Sequence, residues 1–170
     1  MLASDKLIAA LNEQVGNELG ASHQYVCIAS YFDRENLPEL ARFFYSQADE
    51  ERAHAMRFVH FVNDVDGVLE IPEVPAPKSD FASAEEAVGL SLEWENEVTE
   101  QIYRLVEVAK GDDNHIALRF LDWFVTEQLE EVNSIGTLLG VVQRAGEDNL
   151  LAVEDYVARQ HGNLGPESTG

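Results

Sequence analysis

Glu51 and His54 stand three residues apart in the segment QADEERAHAMRF. On a helix that spacing puts both side chains on one face. A carboxylate and an imidazole so placed can hold one metal ion, while the carboxylate reaches toward a second. Further candidates lie in three other segments: Glu18, with Leu11 and Tyr25 each seven residues away; Glu95, flanked by Leu92, Val98 and Ile102; and Gln128 with Glu131, in WFVTEQLEEVNSIG. A glutamate on an apolar stripe is costly unless it is charge-paired or bound to metal. Oxygen-rich ligands with one imidazole suit iron, manganese or zinc better than a thiolate metal. Two metals side by side need a bridging carboxylate, and Glu51 lies between a Glu18–His54 side and a Glu95 side.

The elements that must position these residues are helices. Leu7, Leu11, Val15, Leu19, Val26 and Ala29 recur at near-helical spacing and predict a helix over 5–34. Pro38 suits a first helical turn and opens a second helix, about 38 to 66, burying Leu40, Phe43, Phe44, Phe58, Val59 and Val62. The stretch from Gly67 to Phe81, GVLEIPEVPAPKSDF, carries Pro72, Pro75 and Pro77 and cannot be helix. Ser83 with Glu86 reads as a capping box for a third helix ending near Gly111. Asp112, Asp113 and Asn114 offer caps for a fourth, to about Arg144, with Gly146 as its stop. Asp148 is expected to cap a short fifth helix, roughly 148–161, with Leu150, Leu151, Val153 and Val157 on one side. Leu150 and Val157 are expected to be exposed on a lone bundle and so to favour a partner surface. The expected domain is 1–162, with 163–170 as a flexible C-terminal tail.

Helices of about 30 residues are about 40–45 Å long. Short turns make the first and second, and the third and fourth, antiparallel neighbours. The connection of roughly 15 residues between the second and third reaches about 50 Å, enough to run the length of the bundle. The expected fold is therefore all-α: a four-helix bundle with one long crossover and a short fifth helix. In that arrangement Glu18 lies about 18 residues before the first turn and Glu51 about 14 after it; Glu95 lies about 17 before the second and Gln128 about 15 after it. All four fall near mid-bundle, and their convergence says more than any one motif.

Composition bounds the function. The chain has 170 residues, 45% hydrophobic, with 32 Asp+Glu against 11 Lys+Arg and a formal charge of −21. Such a surface repels nucleic acid and anionic membranes and attracts cations. No segment approaches the ~20 apolar residues of a membrane span. The N-terminus has no signal-peptide pattern. The single cysteine, Cys27, leaves no internal disulfide and no Cys-x-x-Cys site. A cytoplasmic location is expected, with no nucleic-acid or membrane partner. Cys27 and Trp123 read as core residues, and His23, His60, His115 and His161 as surface or satisfied histidines.

With these residues in view, the chain resembles the bacterial non-haem ferritins of the ferritin-like di-iron superfamily, over about residues 5–161. The resemblance rests on NELGASHQY around Glu18 and Tyr25, EERAH around Glu51 and His54, WENEVT around Glu95, and EQLEE around Gln128 and Glu131. It implies a ferroxidase and an iron store. Glu18, Glu51 and His54 would bind a first iron; Glu51 and Glu95 a second, with Glu131 beside it. Gln128 would line the centre, and Tyr25 would give an electron or a hydrogen bond. Glu50, Glu127 and Glu130 would form an accessory third iron site, which Glu131 shares. The resemblance further implies oxidation of Fe(II) by O2 or H2O2, a ferric oxyhydroxide mineral, and a homo-oligomeric shell of 24 copies with the fifth helix about its fourfold axes.

Departures narrow the type. Bacterioferritins carry a haem-ligating methionine one residue after the bridging glutamate; Arg52 stands there, so no haem is expected. They repeat Glu-x-x-His on the fourth helix, where this chain has Gln128-x-x-Glu131. Leu118 and Leu121 replace the acids that line the threefold channel of animal ferritins; Asp113, Asp122 and Glu107 are possible substitutes. Two other readings stay open: another di-iron enzyme such as an oxygenase, and an acidic interaction bundle without chemistry.

Overall fold

The computed structural model describes residues 2–163. Four long helices, α1 (Asp5–Arg34), α2 (Pro38–Asp64), α3 (Ala84–Gly111) and α4 (His115–Ala145), are followed by a 3-10 turn (Glu147–Asn149) and a short α5 (Leu150–Asn163). No strand occurs among the described residues. The expected tail beyond Asn163 lies outside them.

Most helix ends have a local cause. Ser4, Ser83 and Asn114 accept from the backbone N–H of Leu7, Glu86 and Ala117 and so cap α1, α3 and α4. Three helix ends share one device. Asn36, Asp66 and Asp113 take positive φ (60°, 62° and 53°), and the next residue's N–H donates back to the carbonyl five residues earlier: Leu37 to Phe32, Gly67 to Val62, Asn114 to Ala109. Asn and Asp tolerate the left-handed conformation better than other non-glycine residues. α2 therefore stops at Asp64, two residues before the expected 66. Gly146, at φ +73°, ends α4 as its sequence position predicts.

The crossover runs beside α1 and in its direction. Asn12 donates to the Val68 carbonyl, and Gln24 exchanges two hydrogen bonds with the Lys78 backbone, at 2.8 and 2.9 Å. Between those clamps Gly16 makes room for Pro72, whose Cγ would lie 2.4 Å from any added Cβ. The connection thus carries the chain from the foot of α1 to its head, where α3 begins. α1 and α2 are antiparallel, as are α3 and α4.

α5 departs from expectation. Val153 and Val157 are buried, at 0% and 3% exposure, against the end of the bundle, and Leu150 is half-buried. Only Leu151 of the expected apolar set stands out, at 74%. Polar bonds explain the docking. N-cap Leu37 has no side chain with which to cap α2, and the Glu154 carboxylate accepts instead from Glu39 and Leu40 N–H, both at 2.8 Å. Glu147 does the same for Ala84 and Glu85 at the start of α3. Two carboxylates at two helix N-termini satisfy orphan donors and the helix dipole together. Asp148, expected as a cap, lies within the 3-10 turn.

The core is in two parts. One apolar cluster (Tyr25, Phe32, Phe44, Ile135, Val153 among others) fills the end that carries α5. The other (Leu7, Leu11, Phe58, Ile102, Phe124) fills the opposite end. Of the expected core positions Val26 is not one, being 45% exposed. Between the clusters the bundle is polar.

Candidate metal centre

At that waist, Glu18, Glu51, His54, Glu95, Gln128 and Glu131 are all buried, at 0–4% exposure. α1 supplies Glu18; α2 supplies Glu51 and His54 one turn apart; α3 supplies Glu95; α4 supplies Gln128 and Glu131 one turn apart. Ligand atoms of Glu18, Glu51 and His54 lie within 4.8 Å of one another, as do those of Glu51, Glu95 and Glu131. Glu51 belongs to both groups. A third group, His54, Glu127 and Glu131, adjoins them.

Acceptors outnumber donors here. Glu18 Oε2 and both carboxylate oxygens of Glu51 are buried with no hydrogen-bond partner. Leaving such groups unpaired costs several kcal/mol per ion. Burial raises the pKa of Glu18 well above the usual carboxylate range, and the charge of Glu51 adds to the rise. Glu51 is raised well above it too, by burial and then by Glu95. Glu131 is pushed up to about 9 by burial and by the neighbouring Glu95 and Glu50 charges. Glu95 is raised by burial but is partly offset: the Tyr25 hydroxyl donates a short hydrogen bond to Oε1, and Gln128 Nε2 donates to Oε2 at 3.2 Å. Burial and Glu95 together lift the Tyr25 phenol well above its ordinary value. The aromatic clusters above and below lower the local dielectric and strengthen every one of these repulsions.

His54 points both ways. Its Nδ1 lies 3.5 Å from Glu51 Oε2 and its Nε2 3.8 Å from Glu127 Oε1. Its ring meets Trp123 edge-on at 5.4 Å, and Trp123 carries the Arg57 guanidinium 3.7 Å over its own face. Trp123, expected in the core, is half-buried and walls the imidazole in; Cys27 is half-buried as well.

The accessory residues are less gathered. Glu50 is exposed as a residue, yet its carboxyl meets Glu131 and accepts from Gln47 at 2.8 Å, and its pKa is raised by burial of that end. Glu127 is half-buried beside His54. Glu130 is exposed and belongs to none of the three groups. Asp113, Asp122 and Glu107 are exposed and belong to none of the three groups, and Glu107 pairs with Lys110 at 2.7 Å.

Sequence reasoning missed the residues that hold the ligands. Gln14, 2% exposed, donates to Glu18 Oε1 at 2.9 Å and to Gln101 Oε1 at 3.2 Å. Thr99 fixes Gln128 by accepting from its Nε2 at 3.1 Å. The four-residue step from Gln14 to Glu18 is a readable helix pairing; the Thr99 contact crosses between helices and left no local signal.

No helix among the described residues is long and apolar enough to cross a membrane. A family model described as "Ferritin-like domain" matches residues 8–145. The chain is 44% identical over 165 residues to Ferritin BfrB of Mycobacterium tuberculosis, covering 97% of this chain and 90% of that one. It is 38% identical over 148 residues to the bacterial non-heme ferritin of Staphylococcus aureus, covering 87% and 89%. Its fold matches the open pore ferritin of Archaeoglobus fulgidus with a TM-score of 0.89, at 32% identity over 92% of this chain and 96% of that one. With an all-helical bundle, a buried acidic waist and this likeness along nearly its whole length, the chain belongs to the ferritin family.

Proposed function

We propose that the waist is a ferroxidase centre, at which two Fe(II) ions bind side by side and are oxidised before storage as a ferric oxyhydroxide. The observation that carries this reading is the set of unpartnered buried carboxylate oxygens on Glu18 and Glu51, within reach of His54, Glu95 and Glu131. A multivalent cation satisfies several such acceptors at once. Glu18 and His54 hold one iron, Glu95 and Glu131 the other, and Glu51 bridges. Anionic oxygen favours Fe(III) over Fe(II), so the ligand set assists the oxidation. Placing two irons together lets O2 or H2O2 take two electrons in one encounter, which limits superoxide release. Tyr25 steadies Glu95, and Gln128 does the same from α4.

Glu50 and Glu127, with Glu131 shared and Glu130 on the rim, form an accessory site through which iron leaves the centre. A single bundle cannot enclose a mineral, so the subunit acts in a hollow homo-oligomer, for which the family suggests 24 copies. The chain makes up a single di-iron domain and works in the cytoplasm without haem.

Aerobic addition of Fe(II) to the purified protein tests the reading. It predicts rapid oxidation, a large particle by light scattering, and hundreds of irons retained in solution per particle. A small particle that stores no iron contradicts it. An oxygenase would instead consume an organic substrate, and an inert acidic bundle would tolerate Gln at positions 18, 51 and 95 without any change in Fe(II) oxidation.

A further inference from the structure

A cavity of about 230 Å3 opens between α1 and α3, lined by Glu13, Gln14, Asn17, Glu97, Gln101 and Arg104 among others. Polar side chains predominate beside Ala10, Leu105 and Val108, and Glu97 and Arg104 pair at 2.9 Å. Gln14 is buried at 2% exposure and forms the innermost part of the lining, where its Nε2 bonds Glu18 Oε1. Asn17 Nδ2 donates to Gln14 Oε1 at 3.3 Å, and Gln14 donates to Gln101. One amide side chain therefore separates the cavity from the first candidate ligand. A larger cavity, about 410 Å3, between α3 and α4 is lined by Glu85, Glu86, Gly89 and Gln143 among others and touches no candidate ligand.

We propose that the α1–α3 cavity is the inlet through which Fe(II) reaches the Glu18 side of the centre, with Gln14 as its latch. This rests on the ferroxidase reading. A hydrated cation must shed water before it meets carboxylates. Amide oxygens on Asn17 and Gln14 replace that water with neutral ligands, which bind weakly enough to let the ion move on. Turning the Gln14 side chain releases Glu18 Oε1, and the arriving cation takes the place of the lost N–H donor. The free Glu18 Oε2 then completes the transfer.

Two variants of the assembled protein test this at Gln101, which is half-buried and bonds no candidate ligand. Gln101→Trp fills the cavity, and Gln101→Ala widens it. Stopped-flow oxidation at two Fe(II) per subunit is read beside anaerobic Co(II) titration at equilibrium. The inlet predicts oxidation about tenfold slower in the Trp variant, equal or faster in the Ala variant, and wild-type Co(II) stoichiometry and affinity in both. A wild-type rate in the Trp variant overturns the inlet and leaves the ferroxidase reading standing. Slower oxidation in both variants, or loss of Co(II) affinity, makes Gln101 a structural support and also overturns it. A wild-type protein that neither binds Co(II) nor oxidises Fe(II) sinks both readings.

Discussion

The two halves of the acidic waist are built differently. On the α1–α2 side, Glu18 keeps one oxygen free and Glu51 keeps both; among the described residues Gln14 is the side chain that hydrogen-bonds the pair, and His54 Nδ1 lies 3.5 Å from Glu51 Oε2. On the α3–α4 side, both oxygens of Glu95 are already taken, one by Tyr25 and one by Gln128. A cation on the first side meets three free oxygens and displaces one hydrogen bond, from Gln14 to Glu18 Oε1. On the second it competes with two hydrogen bonds, each worth about 1 kcal/mol net or somewhat more to a charged acceptor. If the proposed centre binds two cations, unequal affinity is expected from the neighbours of the carboxylates rather than from their number.

The largest effect is expected where the halves join. Glu51→Ala removes the proposed shared ligand and should weaken both sites at least about 100-fold, leaving no rapid oxidation phase. Loss of only one site would show that Glu51 does not bridge.

Protons and cations compete for the same oxygens. The folded-state pKa values of Glu18, Glu51 and Glu131 all lie above their unfolded values. At these three carboxyls the native metal-free protein therefore binds more protons than the unfolded chain, and their contribution to stability is greatest below the usual carboxylate range. It should fall as pH rises from about 4.5 toward about 9, the value reached by Glu131. Added Zn(II) should flatten that slope and release protons on binding. Thermal melts across this window check it; a metal-free protein that gains stability toward pH 9 would mean that the cluster is charge-compensated without metal.

Gln128→Glu would make the halves more alike, exchanging a donor to Glu95 for a further acceptor. Tighter second-site binding by about tenfold is expected, together with lower metal-free stability. Calorimetric titration and melting of one sample read both, and an unchanged second constant would exclude Gln128 from that site's surroundings. Tyr25→Phe acts on the same carboxylate from the other side. It unpairs one Glu95 oxygen, which should cost the metal-free protein about 1–3 kcal/mol and increase the stabilisation that Zn(II) provides.

Much of this was legible in the sequence. The helix spans came from apolar periodicity and from Pro38, Ser83, Asn114 and Gly146, which act through the backbone next to them. The meeting of Glu18, Glu51, Glu95 and Gln128 followed from counting residues to each turn, because antiparallel helices convert count into height. What was not legible depends on contacts between distant segments. Leu37 gives no sign that Glu154, far along the chain, will cap its helix, so α5 was expected to lie open when it is bound down. Val26 keeps helical spacing with the core yet faces outward. Trp123 looked like filler because nothing local tells of Arg57 above it or His54 at its edge.

The unequal, Glu51-bridged pair is tested most directly by anaerobic Co(II) titration of the wild type, Glu18→Gln and Glu95→Gln, followed by calorimetry and visible absorption. Two binding events of distinct affinity per wild-type subunit are predicted, with Glu18→Gln losing the tighter and Glu95→Gln losing the weaker. Two equal constants, or a Glu18→Gln variant that keeps the tight event, would contradict it.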